Sequence, residues 1–259
     1  MIDVVNLDVD NSISIDFLYI TFELSEAPSD LNDYTFTLQR SLNPNVAFTS
    51  IANVTDFKYV DRDVNLLNET VSYYYRVKTI NNKTGESRYS DIKKSGEGNY
   101  DRWSYAIAEI ERKYIKDVID NRKAFLLNRI KYGEHCPACY NPNRECADSD
   151  TCKVCWGTGV KGGYYPPSEI YLNFYQAQGS SLLYGVQDVA EEWSNLQAWT
   201  LNFPKVKVDD IIIYGDKRFI VNSVTETHKN GWVIRQVLGL NEIPKTNIIY
   251  SYEVDHGLS

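Results

Sequence analysis

The run Cys136-Pro137-Ala138-Cys139-Tyr140-Asn141-Pro142-Asn143-Arg144-Glu145-Cys146-Ala147-Asp148-Ser149-Asp150-Thr151-Cys152-Lys153-Val154-Cys155 decides how the rest of the chain is read. It holds all 5 cysteines of a 259-residue sequence. Two C-x-x-C turns at this spacing can bring four thiolates tetrahedrally around one Zn²⁺, each pair forming one jaw of the site. Cys136, Cys139, Cys152 and Cys155 are therefore the expected zinc ligands. Four sulfurs fill the coordination shell and leave no position for water or substrate, so the metal is expected to be structural and not hydrolytic. Cys146 is left over, as a spare thiol, an alternative ligand or one half of a disulfide. His135 adjoins the first jaw, but four suitably spaced sulfurs already saturate zinc. A disulfide framework or a redox role competes with the zinc reading, and a reducing cytosol disfavours both.

On the N-terminal side of this run, short alternating segments follow one another: Ile13 to Leu24, Tyr34 to Arg40, Phe48 to Ile51, Phe57 to Val60, Val71 to Ile80 and Ser87 to Ile92. Polar turn clusters separate them, a spacing that predicts an antiparallel sandwich. Between Tyr100 and Lys131 the period changes to about 3.6, with Trp103, Ile107, Ile110, Tyr114, Val118 and Ile119 on one side, then Phe125, Leu126 and Ile130. The pattern predicts one amphipathic helix about 45 Å long at about 1.5 Å per residue, which bridges domains or lines a subunit interface. Two shorter helices interrupted near Asp117, Asp120 and Asn121 are the alternative.

On the C-terminal side, strands return from about Val206. Ile211 to Tyr214 leads through Gly215-Asp216 into Lys217 to Val221, and Asn230-Gly231 joins Val224 to Lys229 with Trp232 to Leu238. Both are two-residue hairpin connections that need positive φ, and they predict a compact antiparallel barrel. The expected fold is mainly β with one long helix. Residues 1–97 form the sandwich, 98–133 the helix and linker, 134–163 the zinc knuckle and 164–259 the barrel.

Composition bounds the function. Hydrophobic residues are 43% and charged residues 24% of the chain, ordinary globular values. No stretch reaches the roughly 18 to 20 apolar residues that span a bilayer, so no membrane partner is expected. Met1 to Asp10 lacks the basic flank and apolar core of an export signal. A net charge of −8 repels a phosphate backbone, and no basic patch stands out to offset it. The sequons at Asn53, Asn68 and Asn82 are what an Asn- and Thr-rich chain produces by chance. The 20 Tyr residues, against 1 Met, fit strands and interfaces alike.

No catalytic constellation is recognisable. His135, His228 and His256 form no metalloprotease pair, and Asp209-Asp210 and Glu191-Glu192 read as solvated faces or turn formers. Gly157, Gly159, Gly162 and Gly163 lack the Lys-Ser/Thr end of a phosphate loop. The chain is therefore expected not to be an enzyme.

Three resemblances sharpen this. Tyr73 to Asn81, followed by Gly85-Glu86-Ser87 and Tyr89-Ser90, resembles the last two strands of a fibronectin type III domain, although the usual early Trp is absent. Cys152-Lys153-Val154-Cys155 with Gly157 and Gly159 resembles half of a zinc-binding repeat of DnaJ-type chaperones, without implying chaperone activity. The third is carried by Asp209-Asp210-Ile211-Ile212, Gly215 to Val221, Arg235-Gln236, Ile243-Pro244 and Ile248-Ile249-Tyr250. Together these resemble the head-closure, or stopper, proteins of tailed-bacteriophage necks, with Asp209 standing where a Gly is commoner.

That resemblance implies a virion protein of the neck, made in the host cytoplasm. It would form a homo-oligomeric, dodecameric ring between a portal or adaptor protein above and a tail or tail-terminator protein below. Genomic DNA would pass through the lumen without specific binding. Two other functions remain open: a zinc-ribbon nucleic-acid-binding module, with Tyr140 and Trp156 stacking on bases, and a carbohydrate or host-surface binding protein.

Overall fold

The computed structural model describes residues 2–28, 30–66, 71–95, 102–118, 123–143, 146–149, 151–175 and 196–254. The chain divides into two units, Met1–Asp101 with Lys131–His135, and Arg102–Ile130 with Cys136–Ser259.

The first unit is built from β1 (Val4–Asp10), β2 (Leu18–Leu24), β3 (Tyr34–Ser41), β4 (Thr49–Asn53), β5 (Lys58–Asp61), β6 (Tyr74–Asn81), β7 (Ser87–Tyr89) and β8 (Lys93–Lys94). One antiparallel sheet has the order β1-β2-β5 and the other β4-β3-β6-β7, with β8 also paired to β6. Alternation drives the arrangement. Leu18, Ile20, Phe22, Phe36, Leu38, Tyr75 and Val77 share one core, while Arg76 and Lys78 lie on the other face of β6 over the Tyr89 ring. The Tyr73 hydroxyl, just ahead of β6, accepts the backbone N–H of Asn65 at 2.7 Å, a corner typical of such sandwiches.

β1 is not among the strands expected from the sequence, because its alternation is broken where Asn6 takes φ 49° and the register shifts between Val5 and Asp8. The strand expected from Ile13 begins only at Leu18.

In the second unit, α1 (Arg102–Lys113) runs on through a single wider turn, Tyr114–Val118. The expected helix to Lys131 is therefore too long. Lys123–Leu127 is instead a strand, β9, with Ala124 and Leu126 in the barrel core and Phe125 and Leu127 in a second cluster on its opposite face. Four successive apolar residues satisfy either period, and the partners available decide between them.

Those partners are the strands of a closed barrel. Two-residue ladders β10 (Tyr140–Asn141) and β11 (Cys146–Ala147) precede β12 (Ser168–Tyr175), β13 (Leu196–Leu201), β14 (Ile211–Tyr214), β15 (Lys217–Lys229) and β16 (Trp232–Glu242). The barrel order is β12-β13-β16-β15-β14-β9. Leu126 stands opposite Ser168 on one side and Ile212 on the other, so β9 is the strand that closes the cylinder and removes both free edges.

Both hairpins lie where the sequence places them. Gly215 has φ 57°, and Asn230 and Gly231 have φ 49° and 84°. Segments read as separate strands, Lys217 to Val221 and Val224 to Lys229, are one strand with a bulge between Val221 and Ser223. Gly239 lies opposite that bulge, and a Cβ there would collide with the Asn222 and Ser223 side chains. The Asn222 amide is held by Asn241 Oδ1 at 2.9 Å and cannot turn aside without losing that bond. Gly239→Ala should destabilise the second unit by about 1–3 kcal/mol in urea unfolding. Adding Asn222→Ala and Ser223→Ala should recover most of the loss.

The helix packs on the barrel through a face other than its most apolar one. Ser104, Ala108 and Ile115 are buried, Ile115 lies against Trp199 and Leu201, and the Tyr105 ring meets Trp232 at 5.5 Å. The stripe picked out by hydropathy points outward: Trp103 is 80% exposed, Ile110 64% and Tyr114 47%. Within the described residues, no helix is long and apolar enough to cross a membrane.

Candidate metal centre

Each jaw is a tight turn closed on its first cysteine. Tyr140 N–H donates to Cys136 O at 3.1 Å, and Trp156 N–H donates to Cys152 O at 2.8 Å. The second jaw continues through left-handed backbone at Trp156, Gly157 and Gly159, with φ 54°, 82° and 81°. Backbone of this kind aims successive amides inward, and the amides of Cys155 and Val154 turn toward the Cys152 sulfur, as those of Gly159 and Gly157 do toward Cys155. The jaws are tied together by Cys136 N–H donating to Gly159 O at 2.8 Å.

The sulfurs converge as the spacing implies. All four ligand atoms lie within 4.8 Å of one another. Across the jaws, Cys136 Sγ to Cys152 Sγ is 3.7 Å and Cys139 Sγ to Cys155 Sγ is 3.3 Å. Neither is near the roughly 2.05 Å of a disulfide. A tetrahedron with metal–sulfur bonds of about 2.3 Å has edges of about 3.8 Å, so the donor set fits a four-coordinate ion of zinc's size. Cys136 and Cys155 are buried, and Cys139 and Cys152 are half-buried. Among the described residues, the group placed so that it could hold a metal ion consists of these four cysteines, without His135. The Cys146 side chain lies outside the described atoms.

Electrostatics separate the thiols. The amides of Cys155 and Val154 bring the Cys152 thiol down to about 6. Burial pushes Cys139 and Cys155 up, and in Cys139 the neighbouring sulfurs add to that rise. The Cys152 thiolate is thus ready, and the protons on Cys139 and Cys155 must leave when a cation enters.

The centre is anchored to the barrel beneath it. Past β9 the chain pairs with the exit of the second jaw: Ile130 N–H donates to Gly163 O at 3.0 Å, and Tyr165 N–H donates to Asn128 O at 2.9 Å. A Cβ on Gly163 would sit 2.5 Å from Cys155 O, so only glycine permits this approach. Trp156 meets Tyr252 at 5.1 Å and joins the cluster of Leu127, Ile211 and Ile213.

Asp210 fastens the same base, and sequence reasoning missed it. Read as half of a solvated acidic pair, it is 2% exposed. Its carboxylate accepts Arg129 N–H at 2.8 Å, Lys207 N–H at 2.7 Å and Asn128 Nδ2 at 2.8 Å. Burial pushes its pKa upward while those donors oppose the rise. Asp209, by contrast, does form a turn. It has φ 70°, the left-handed region that favours glycine. Nothing in the one-dimensional pattern distinguishes the two acids.

No protein-family model and no curated protein matches the sequence.

Proposed function

We propose that the four thiolates hold one structural Zn²⁺ and that the chain is a non-enzymatic neck protein of a tailed bacteriophage. In this reading it forms a homo-oligomeric ring joining the portal or adaptor to the tail and lets DNA pass. The residues that resemble head-closure proteins fall in β14, in the Gly215 hairpin and in β16 of the closed barrel, and in the Ile248–Ser251 turn whose Ile249 packs with Ile211 and Ile213. The observation that carries the proposal is the outward stripe of Trp103, Ile110 and Tyr114 on a helix whose other face is already buried. Large apolar side chains aligned at helical spacing on a surface cost solubility unless a neighbour covers them. In a ring, each subunit supplies such a cover to the next.

Zinc suits this role because it supplies rigidity without an open coordination site. The thiolates hold it, and the Gly163 contact and Asp210 hold the thiolates' base against the barrel.

Mass photometry and metal analysis of the purified chain test the proposal together. A closed oligomer containing one zinc per subunit is expected, and Trp103→Asp with Ile110→Asp should reduce it to monomers with the same zinc content. A monomer at micromolar concentration that also fails to bind portal and tail proteins would exclude it.

A further inference from the structure

We propose a second site, independent of the metal centre and of ring assembly: a cleft at one end of the sandwich that binds a neutral saccharide. A cavity of about 410 Å³ opens there between the Leu31–Asp33 turn, the start of β3 and the end of β4. That volume lies within the range of small-molecule sites. Leu31, Tyr34, Phe36 and Val54 supply apolar lining, and the Tyr34 and Phe36 rings lie 24° from parallel.

Its polar side is preformed. Asn82 accepts the Thr35 hydroxyl at 3.0 Å and donates to Asn32 O at 2.8 Å, which fixes the walls to each other. The Thr37 hydroxyl donates to Asn53 Oδ1 at 2.9 Å and so orients the Asn53 amide. Among the described residues the Asn53 Nδ2, the Thr55 hydroxyl and the Asn32 side chain have no hydrogen-bond partner, and all three residues line the cavity. Amides and hydroxyls both donate and accept, which is what sugar hydroxyls require, while an apolar and aromatic wall suits the C–H face of a pyranose.

Charge narrows the class. No charged side chain lines the cavity. Beside it, Lys83 Nζ pairs with Asp33 at 2.5 Å, and Asp30 accepts the Asn32 N–H. A phosphate or carboxylate ligand would be desolvated there without a cation lining the cavity, at a cost that neutral hydroxyls do not incur.

The test is an NMR titration of the isotopically labelled full chain with methyl pyranosides of neutral hexoses and N-acetylhexosamines, and with a short uncharged peptide as competitor class. At least one glycoside should give saturable shifts in the Asn53 and Asn32 side-chain amides. Asn53→Ala with Thr55→Ala should weaken that binding about tenfold or more, while thermal unfolding falls only by the loss of the exposed Thr37–Asn53 hydrogen bond. Three results would overturn the assignment: no shifts with any glycoside, saturable binding undiminished in the double variant, or saturation of these amides by the peptide alone. None of them bears on zinc content or oligomeric state.

Discussion

Replacing Cys155 with Ser, or stripping the metal with a strong chelator, should abolish ordered structure in the described residues between 136 and 163 while the first unit keeps its stability. The jaws converge on sulfur: Cys136 and Cys155 are the buried side chains at their centre, and among the described residues of this segment only Trp156 joins the cluster packed beneath them. For small structural zinc sites the apparent binding free energy is about 10–16 kcal/mol near neutral pH, far more than a loop of this size could draw from burial. Zinc content should fall from about one per chain to a few per cent. Amide exchange at Trp156, Thr158 and Gly162, whose N–H groups are held inside the second jaw, should accelerate by about a thousandfold or more.

The sign of the pH dependence follows from the thiols. Cys152 is brought down to about 6 by the amides of Cys155 and Val154, so it is ionised at neutral pH; Cys139 and Cys155 are held above the ordinary thiol range by burial. Cation entry must therefore expel protons from the second group, and apparent affinity should fall as the pH drops, steepening below about 6 as Cys152 also protonates. Calorimetry in buffers of differing ionisation enthalpy reads the proton count. Metal-free protein with unaltered exchange protection would show that sulfur geometry is incidental to the fold.

Asp61→Ala should cost the first unit about 3–5 kcal/mol, the largest effect expected of any single substitution there. Asp61 is 2% exposed on β5 and accepts the Tyr75 hydroxyl at 2.7 Å. Arg40 Nη1 donates to its two oxygens at 3.0 and 2.8 Å. Removing the carboxylate leaves a guanidinium only 18% exposed and a phenol within a closed core. Burial, then the Asp61 contact, pushes the Tyr75 hydroxyl above its usual range, so it is a protonated donor, and Asp61 is the acceptor it uses. Because Arg40 also reaches Asp63 at 2.7 Å, the loss should sit toward the lower end of that interval. Tyr75→Phe should cost about 1–2 kcal/mol, since a carboxylate still paired with Arg40 remains. Urea unfolding followed by a probe in the first unit separates these values, and equal losses for both variants would show that the ion pair carries none of the stability.

The two jaws and the barrel hairpins were legible because their chemistry is local. C-x-x-C pairs and two-residue turns require particular residues at particular offsets, and no other part of the chain can override them. The helix was legible in kind but not in extent. Lys123 to Leu127 has no period of its own strong enough to choose, and it became a strand because β12 and β14 each offered an unpaired edge. Asp210 was illegible for a related reason, since its three donors come from residues that are adjacent only once β9 has closed the barrel.

The sequence by itself determined which residues turn, which alternate and which sulfurs converge, because each of these follows from backbone sterics or ligand chemistry within a few residues. Only the tertiary structure decided which face of α1 is covered, which strand closes the barrel and which of two neighbouring aspartates is buried. Those outcomes depend on hydrogen-bonding partners and apolar surfaces contributed by distant segments, whose positions a linear pattern does not contain.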